Sequence, residues 1–79
     1  MARCFYCPMP QKHTLSDENV EYTSYGISVL KIHGHSATPI YIVSDVSLDR
    51  DLVFTLAYWC TSKQLSPLHL LDVILDTLD

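Results

Sequence analysis

The stretch VEYTSYGISVLKIHGHSATPIYIVSDV, residues 20–46, decides the fold class. It is dense in β-branched and aromatic residues, which suit a pleated, half-buried surface. Val20, Tyr22 and Thr23 predict a first strand, and Ser24-Tyr25-Gly26 predicts a tight turn in which the glycine supplies a positive φ. A second strand is expected over residues 27–32 and a second turn at His33-Gly34-His35-Ser36. Pro39 then opens a third strand, Ile40-Tyr41-Ile42-Val43. Alternation puts Ile27 and Val29 on one face of the second strand and Leu30 and Ile32 on the other, so that strand is apolar on both sides. The third strand is two-sided in the same way. Short connections favour neighbours, which gives an antiparallel meander with residues 27–32 in the middle.

Downstream the period changes from two to 3.6. Ser47 is a candidate N-cap, followed by Asp49 and Asp51 in a first helical turn. Leu52, Val53, Leu56, Ala57, Trp59 and Cys60 fall within one arc and form the expected core face, while Phe54 and Tyr58 lie opposite as an i,i+4 aromatic pair. A second helix is signalled by Ser66 as cap and Pro67 at the first helical position. It is apolar around more than half its circumference, with His69, Asp72, Asp76 and Asp79 as the polar remainder. The fold expected is α+β: a three-stranded antiparallel meander followed by a two-helix hairpin packed on one sheet face. Upstream, residues 1–18 contain Pro8 and Pro10 and no periodic pattern. They are expected to be a flexible N-terminal arm outside a single small domain over residues 19–79.

Composition narrows the function. With 79 residues there is room for one domain, and 48% apolar against 18% charged residues excludes a disordered chain. The longest uncharged apolar stretch, residues 52–62, is shorter than a membrane span requires, and the start MARCFYCPMPQKH lacks the apolar core of a signal peptide. A cytoplasmic protein is expected. The formal charge of −4 resides wholly in the second half, and five scattered Lys and Arg residues make no phosphate-binding patch, so neither nucleic acid nor a membrane is an expected partner.

Candidate chemistry is sparse. Cys4-x-x-Cys7 with His33-Gly-His35 has the donor set of a zinc site, although His-x-His is not the usual second half. Cys60 with His69 offers a thiol and a base, but Cys60 lies on a core face, where a thiol is inert. His69, Asp72 and Asp76 occupy adjacent helical turns and read as a solvated face ahead of a cation site. No phosphate-binding glycine loop or hydrolase motif occurs, so the protein is not expected to be an enzyme and no cofactor is implied.

A meander with helices on one face leaves the other face bare, carrying Leu30, Ile32, Tyr41 and Val43 or the opposite set. Phe54 and Tyr58 add a second apolar patch. Such a surplus marks a protein partner or a homodimer; the alternative is that residues 1–18 fold back over the sheet. The interaction surface expected is the open sheet face together with Tyr25, Phe54, Tyr58, His69, Asp72 and Asp76.

The phrases EYTSYGI, IVSDVSLDRDLV and LSPLHLLDVILDTLD, in this order and spacing, resemble a family of short proteins from clostridia-like Firmicutes classed as a domain of unknown function, over about residues 20–78. The resemblance implies a small cytoplasmic bacterial protein and supplies no activity, cofactor or catalytic residue. Tyr25, Gly26, Asp45, Ser47, Asp49, Ser66, Pro67, His69, Leu70, Asp72 and Val73 match its pattern. Of these, Tyr25, His69 and Asp72 are not explained by a turn, a cap or a core. The function expected is therefore a non-enzymatic interaction or regulatory module, with a zinc-stapled mini-domain as the alternative.

Overall fold

The structure is a computed structural model and describes residues 3–78. Three strands, β1 (Arg3–Leu15), β2 (Val20–His33) and β3 (Ser36–Ser47), form an antiparallel sheet in the order β1-β2-β3. Helix α1 (Arg50–Lys63), a single 3-10 turn (Pro67–His69) and helix α2 (Leu70–Leu78) follow. The α+β meander with two trailing helices is the expected architecture, with residues 27–32 in the central strand as expected.

Two strands nonetheless lie elsewhere than the sequence predicts. The segment expected to be a flexible arm is strand β1, paired with β2 from Arg3↔Ile32 to Leu15↔Val20. The turn expected at Ser24-Tyr25-Gly26 does not exist; residues 20–33 run straight through as one strand. Gly26 serves the sheet in another way. A Cβ there would stand 2.5 Å from the Val43 carbonyl oxygen and 2.9 Å from Gln11 Oε1. The bare backbone lets β3 bend across the central strand and lets the Gln11 side chain pass over it. Gln11 Oε1 accepts from the Asp45 N–H at 2.9 Å and Gln11 Nε2 donates to Ser44 Oγ at 3.3 Å, so β1 and β3 are tied together over β2. This tie sits where β3 bulges, between the pairs Ile27↔Val43 and Tyr25↔Ser47, and Asp45 takes a left-handed φ of 53° there.

The real turns are at 16–19, where Asn19 accepts φ 53° and the Glu18 N–H reaches the Leu15 carbonyl, and at Gly34-His35. The second turn lies where the sequence predicts it, and Gly34 with φ 62° supplies the positive φ that a type II′ hairpin needs at its first central position.

Each sheet edge is blunted along part of its length. Along β1, Cys4 and Tyr6 point their backbone N–H groups outward, to Gln64 Oε1 at 3.1 Å and Thr61 Oγ1 at 2.9 Å. By the two-residue period the next outward positions are Pro8 and Pro10, which have no N–H to offer. Along β3, Pro39 lies beside a bulge at the Val29↔Tyr41/Leu30↔Pro39 step, and the second bulge at residues 44–46 interrupts the other end.

Helix α1 lies on the face shared by Tyr6, Ile27 and Val29, and the core gathers these with Val46, Val53, Leu56, Ala57, Cys60, Leu70 and Ile74. Its N-cap is Asp49, whose carboxylate accepts from the Leu52 N–H at 3.2 Å. Ser47, the expected cap, accepts from the Asp49 N–H instead. The helix ends in a Schellman arrangement, with Gln64 left-handed and the Leu65 N–H on the Cys60 carbonyl. Trp59, expected in the core, is 44% exposed. It faces the gap between α1 and α2 and not the sheet. Pro67 opens a 3-10 turn before α2, and Ser66 caps it through no side-chain bond.

Candidate functional site

The six residues of the expected interaction surface fall into two groups. Tyr25 and Phe54 are in edge-to-face contact at 6.4 Å, and the Arg50 guanidinium sits 4.3 Å above the Phe54 ring. Tyr58, one turn on and 75% exposed, continues this flank of α1, the flank whose Thr61 bonds β1. Asp72 lines a different hollow, with Ile40 and Tyr41 of β3 and Pro67, Leu68 and Leu71 beneath the start of α2. His69 and Asp76 are exposed on the same side of the chain's end, and Asp79 lies outside the described residues. Between the groups runs an apolar groove of about 290 Å³ lined by Leu52, Thr55, Leu56, Trp59, Val73 and Thr77.

The open sheet face is composed differently from either expected set. Side chains that pair across strands share a face. The register therefore puts Phe5, Cys7 and Met9 of β1 with Leu30, Ser28 and Gly26 of β2, and Ile42 with Ser28. Tyr41 and Val43 pair with Val29 and Ile27 and belong to the helix side. The bare face is thus a patch of Phe5, Cys7, Met9, Leu30, Ile32 and Ile42 centred on Ser28. Ile42 is 53% exposed, and the patch lacks any charge of its own. The N-terminal segment, the alternative cover, lies within the sheet as a strand and not over it.

At one end of the patch the structure brings together three residues that no spacing in the sequence connects. His13 Nε2 stands 2.8 Å from Ser24 Oγ and 2.9 Å from Asp45 Oδ1, and Ser24 donates to Asp45 Oδ1 at 2.5 Å. Ser24 is 4% exposed, and the His13 ring stacks on Tyr22 at 4.8 Å. A serine, a histidine and a carboxylate in mutual contact invite comparison with a nucleophilic triad, but the wiring differs. An ionised carboxylate only accepts, so Nε2 must carry the proton it shares with Asp45 and Ser24. The imidazole consequently presents no lone pair to the hydroxyl, and the hydroxyl proton is already committed to Asp45. Nucleophilic triads place serine and carboxylate on opposite ring nitrogens. Here the cluster anchors the left-handed Asp45. Only the pairing Gln11↔Ser24 and the bulge make it, and neither is visible without the N-terminal strand.

The structure does not bring the four donors of the zinc alternative together. In an extended strand, residues three apart face opposite ways. Cys4 packs against the core while Cys7 faces the open sheet, and His33 and His35 flank the tip of the other hairpin. Among the described residues no group of three or more His, Cys, Asp or Glu could hold a metal ion. Cys60 is buried and its thiol is pushed above its ordinary value by that burial, the setting of an inert thiol. Tyr6 is buried beside it. Burial first, then the nearby Cys4 and Cys60, push its phenol up to about 12, and its hydroxyl donates to the Leu65 carbonyl. No helix among the described residues is long and apolar enough to cross a membrane.

Fold and surface together define a small two-layer α+β module with one bare sheet face. The chain belongs to the family of unknown function DUF6514, whose model matches residues 5–79. The match reaches back through β1, further than the resemblance over residues 20–78 implied. Comparisons with curated proteins and with solved structures give no match.

Proposed function

We propose that the protein is a non-enzymatic, cytoplasmic interaction module that works by docking its apolar surface on protein. One observation carries this reading: helices cover a single face of the sheet, and on the other Phe5, Ile32 and Ile42 remain exposed around the half-buried Cys7, Met9 and Leu30. Contiguous apolar surface of this kind on a small domain is an interaction site far more often than an idle one. The absence of a base aimed at Ser24 Oγ supports the non-enzymatic part, and the five scattered cations argue against nucleic acid.

The test is photo-crosslinking in the native cell, with benzoylphenylalanine in place of Ile42 or Tyr58 and, as control, at Glu18 in the polar hairpin turn. A discrete protein adduct at an apolar position and none at Glu18 is expected. No adduct at either apolar position would overturn the reading.

A further inference from the structure

We infer that the outer face of α2 is a second docking surface, and that its occupant is an amphipathic helix of another protein carrying Lys or Arg along its flanks. This face is separate from the bare sheet and does not depend on what docks there. Leu68, Leu71, Leu75 and Leu78 are spaced three, four and three residues apart, the a and d spacing of a coiled-coil seam. All four are between 47% and 89% exposed, while the core takes a different pair from the same segment, Leu70 and Ile74. Helix α2 is therefore apolar on two faces, and the fold uses one of them.

The spacing selects a helix as occupant. Knobs that recur every 3.5 residues stay in register with the holes of another helix, whereas the two-residue period of a strand drifts out of step with them. At its N-terminal end the seam opens onto the hollow of about 410 Å³ in which Ile40 and Tyr41 stand against Leu68 and Leu71. That hollow is a recess for one anchoring side chain of a helix lying on the seam.

The charges select the flanks. Asp72 and Asp76, four residues apart, run alongside the leucines, and the two ion pairs among the described residues, His13–Asp45 and Arg50–Asp51, involve neither. Asp76 stands toward the C-terminal end of α2, where the helix dipole disfavours a carboxylate, and no basic residue occupies the last turn to offset it. A partner's Lys or Arg would supply the missing counter-charge. A second copy would not. No Lys or Arg follows Lys63, so antiparallel copies joined seam to seam would set carboxylates against carboxylates. The opposite flank, Leu70 and Ile74, is already taken by the core. The seam runs about 15 Å at 1.5 Å per residue, which makes a transient contact with a Kd on the order of 10 µM.

The probe is a fluorescein-labelled synthetic helix of about three heptads, with Leu at a and d and Lys at every e and g so that it repels itself. A companion carries Glu in place of Lys. Fluorescence anisotropy should show the Lys probe binding wild type about tenfold tighter than the Glu probe, with the difference shrinking as salt rises. Asp72→Lys with Asp76→Lys, both exposed, should reverse that preference. Leu71→Ser with Leu75→Ser should lose both probes, whereas Ile42→Ser on the sheet face should change nothing; far-UV circular dichroism checks the fold of each. A Lys probe that does not bind, or that binds no better than the Glu probe, overturns the inference. So does a preference that the charge reversal leaves in place, or binding lost in Ile42→Ser and kept in Leu71→Ser with Leu75→Ser. Sedimentation velocity of wild type alone should show a monomer; a dimer abolished by the paired leucine substitutions would give the seam to a second copy and overturn it too. The crosslinks at Ile42 and Tyr58 test the docking reading separately, so either can fail without the other.

Discussion

The side-chain amide of Gln64 pairs with the backbone of Cys4 as a neighbouring strand would: Nε2 donates to the Cys4 carbonyl at 2.9 Å and Oε1 accepts from the Cys4 N–H at 3.1 Å. Thr61 repeats the act at Tyr6, accepting from its N–H at 2.9 Å. The end of a helix thus substitutes for a missing fourth strand. Gln64→Ala should cost about 1–2 kcal/mol, the range for a lost pair of backbone bonds at a partly exposed site. Hydrogen exchange at the Cys4 and Tyr6 amides should quicken in Thr61→Val with Gln64→Ala, while the β1–β2 ladder amides change little. Equal acceleration across β1 would mean that the strand is held by something else.

Gly26→Ala is expected to destabilise strongly, because the added methyl meets a backbone oxygen at 2.5 Å that cannot rotate away. About 2–4 kcal/mol is the scale for forced overpacking joined to a displaced strand. Gln11→Ala should not rescue it, since the Val43 carbonyl remains. Gly34→Ala meets no atom within 4 Å and carries only the left-handed penalty at φ 62°, about 1–2 kcal/mol. Urea midpoints of the two variants give the ranking directly.

Stability should fall in alkali. Unfolded, the Tyr6 phenol releases its proton near its ordinary value of 10.0; folded, it holds the proton to about 12. Between those values the native state binds more protons than the unfolded state, so stability declines as pH rises. The contribution is fully present below pH 10, and about 3 kcal/mol is lost by about pH 12. Cys60, raised by burial, acts in the same sense from its ordinary 9.0. Tyr6→Phe should flatten the upper part of the decline in a series of urea melts and cost about 1–2 kcal/mol at neutral pH for the lost bond to Leu65.

A chelator should leave the melting temperature unchanged, because β1 sends Cys4 and Cys7 to opposite faces of the sheet. The same is expected of Cys7→Ser. A drop of several degrees on chelation would reveal a metal site that this backbone does not form.

The sequence announced the class of the fold more clearly than its parts. The β-branched and aromatic runs after Gly26 and the 3.6-period run after Asp49 survive any context, because each suits one kind of element. Pro8 and Pro10 hid β1, since proline usually ends a strand. Yet both sit at the edge parity where no N–H is wanted, and Phe5, Cys7 and Met9 alternate against Cys4 and Tyr6. Glycine supplies positive φ and so predicts a turn at Gly26, whereas its use here is the absence of a Cβ. Which aromatic residues remain outside is half legible: the helical period puts Phe54 and Tyr58 away from the core, but it also puts Trp59 inward, because its angle fits the arc. Only the position of α2 decides that angle. The His13–Ser24–Asp45 cluster depends on a register and a bulge, neither of which leaves a pattern in a single sequence.

The clasp on β1 joins residues 55 and 60 positions apart along the chain. During synthesis β1 emerges first and Thr61 and Gln64 long after, so for most of translation the outward amides of Cys4 and Tyr6 have water as their only intended partner. Pro8 and Pro10 guard their portion of the edge from the moment they are made. The first third of the strand is guarded only once α1 is complete. A chain stopped or cut before Thr61 would carry a live strand edge, and self-association of that kind is a hazard of the fragment, not of the finished fold.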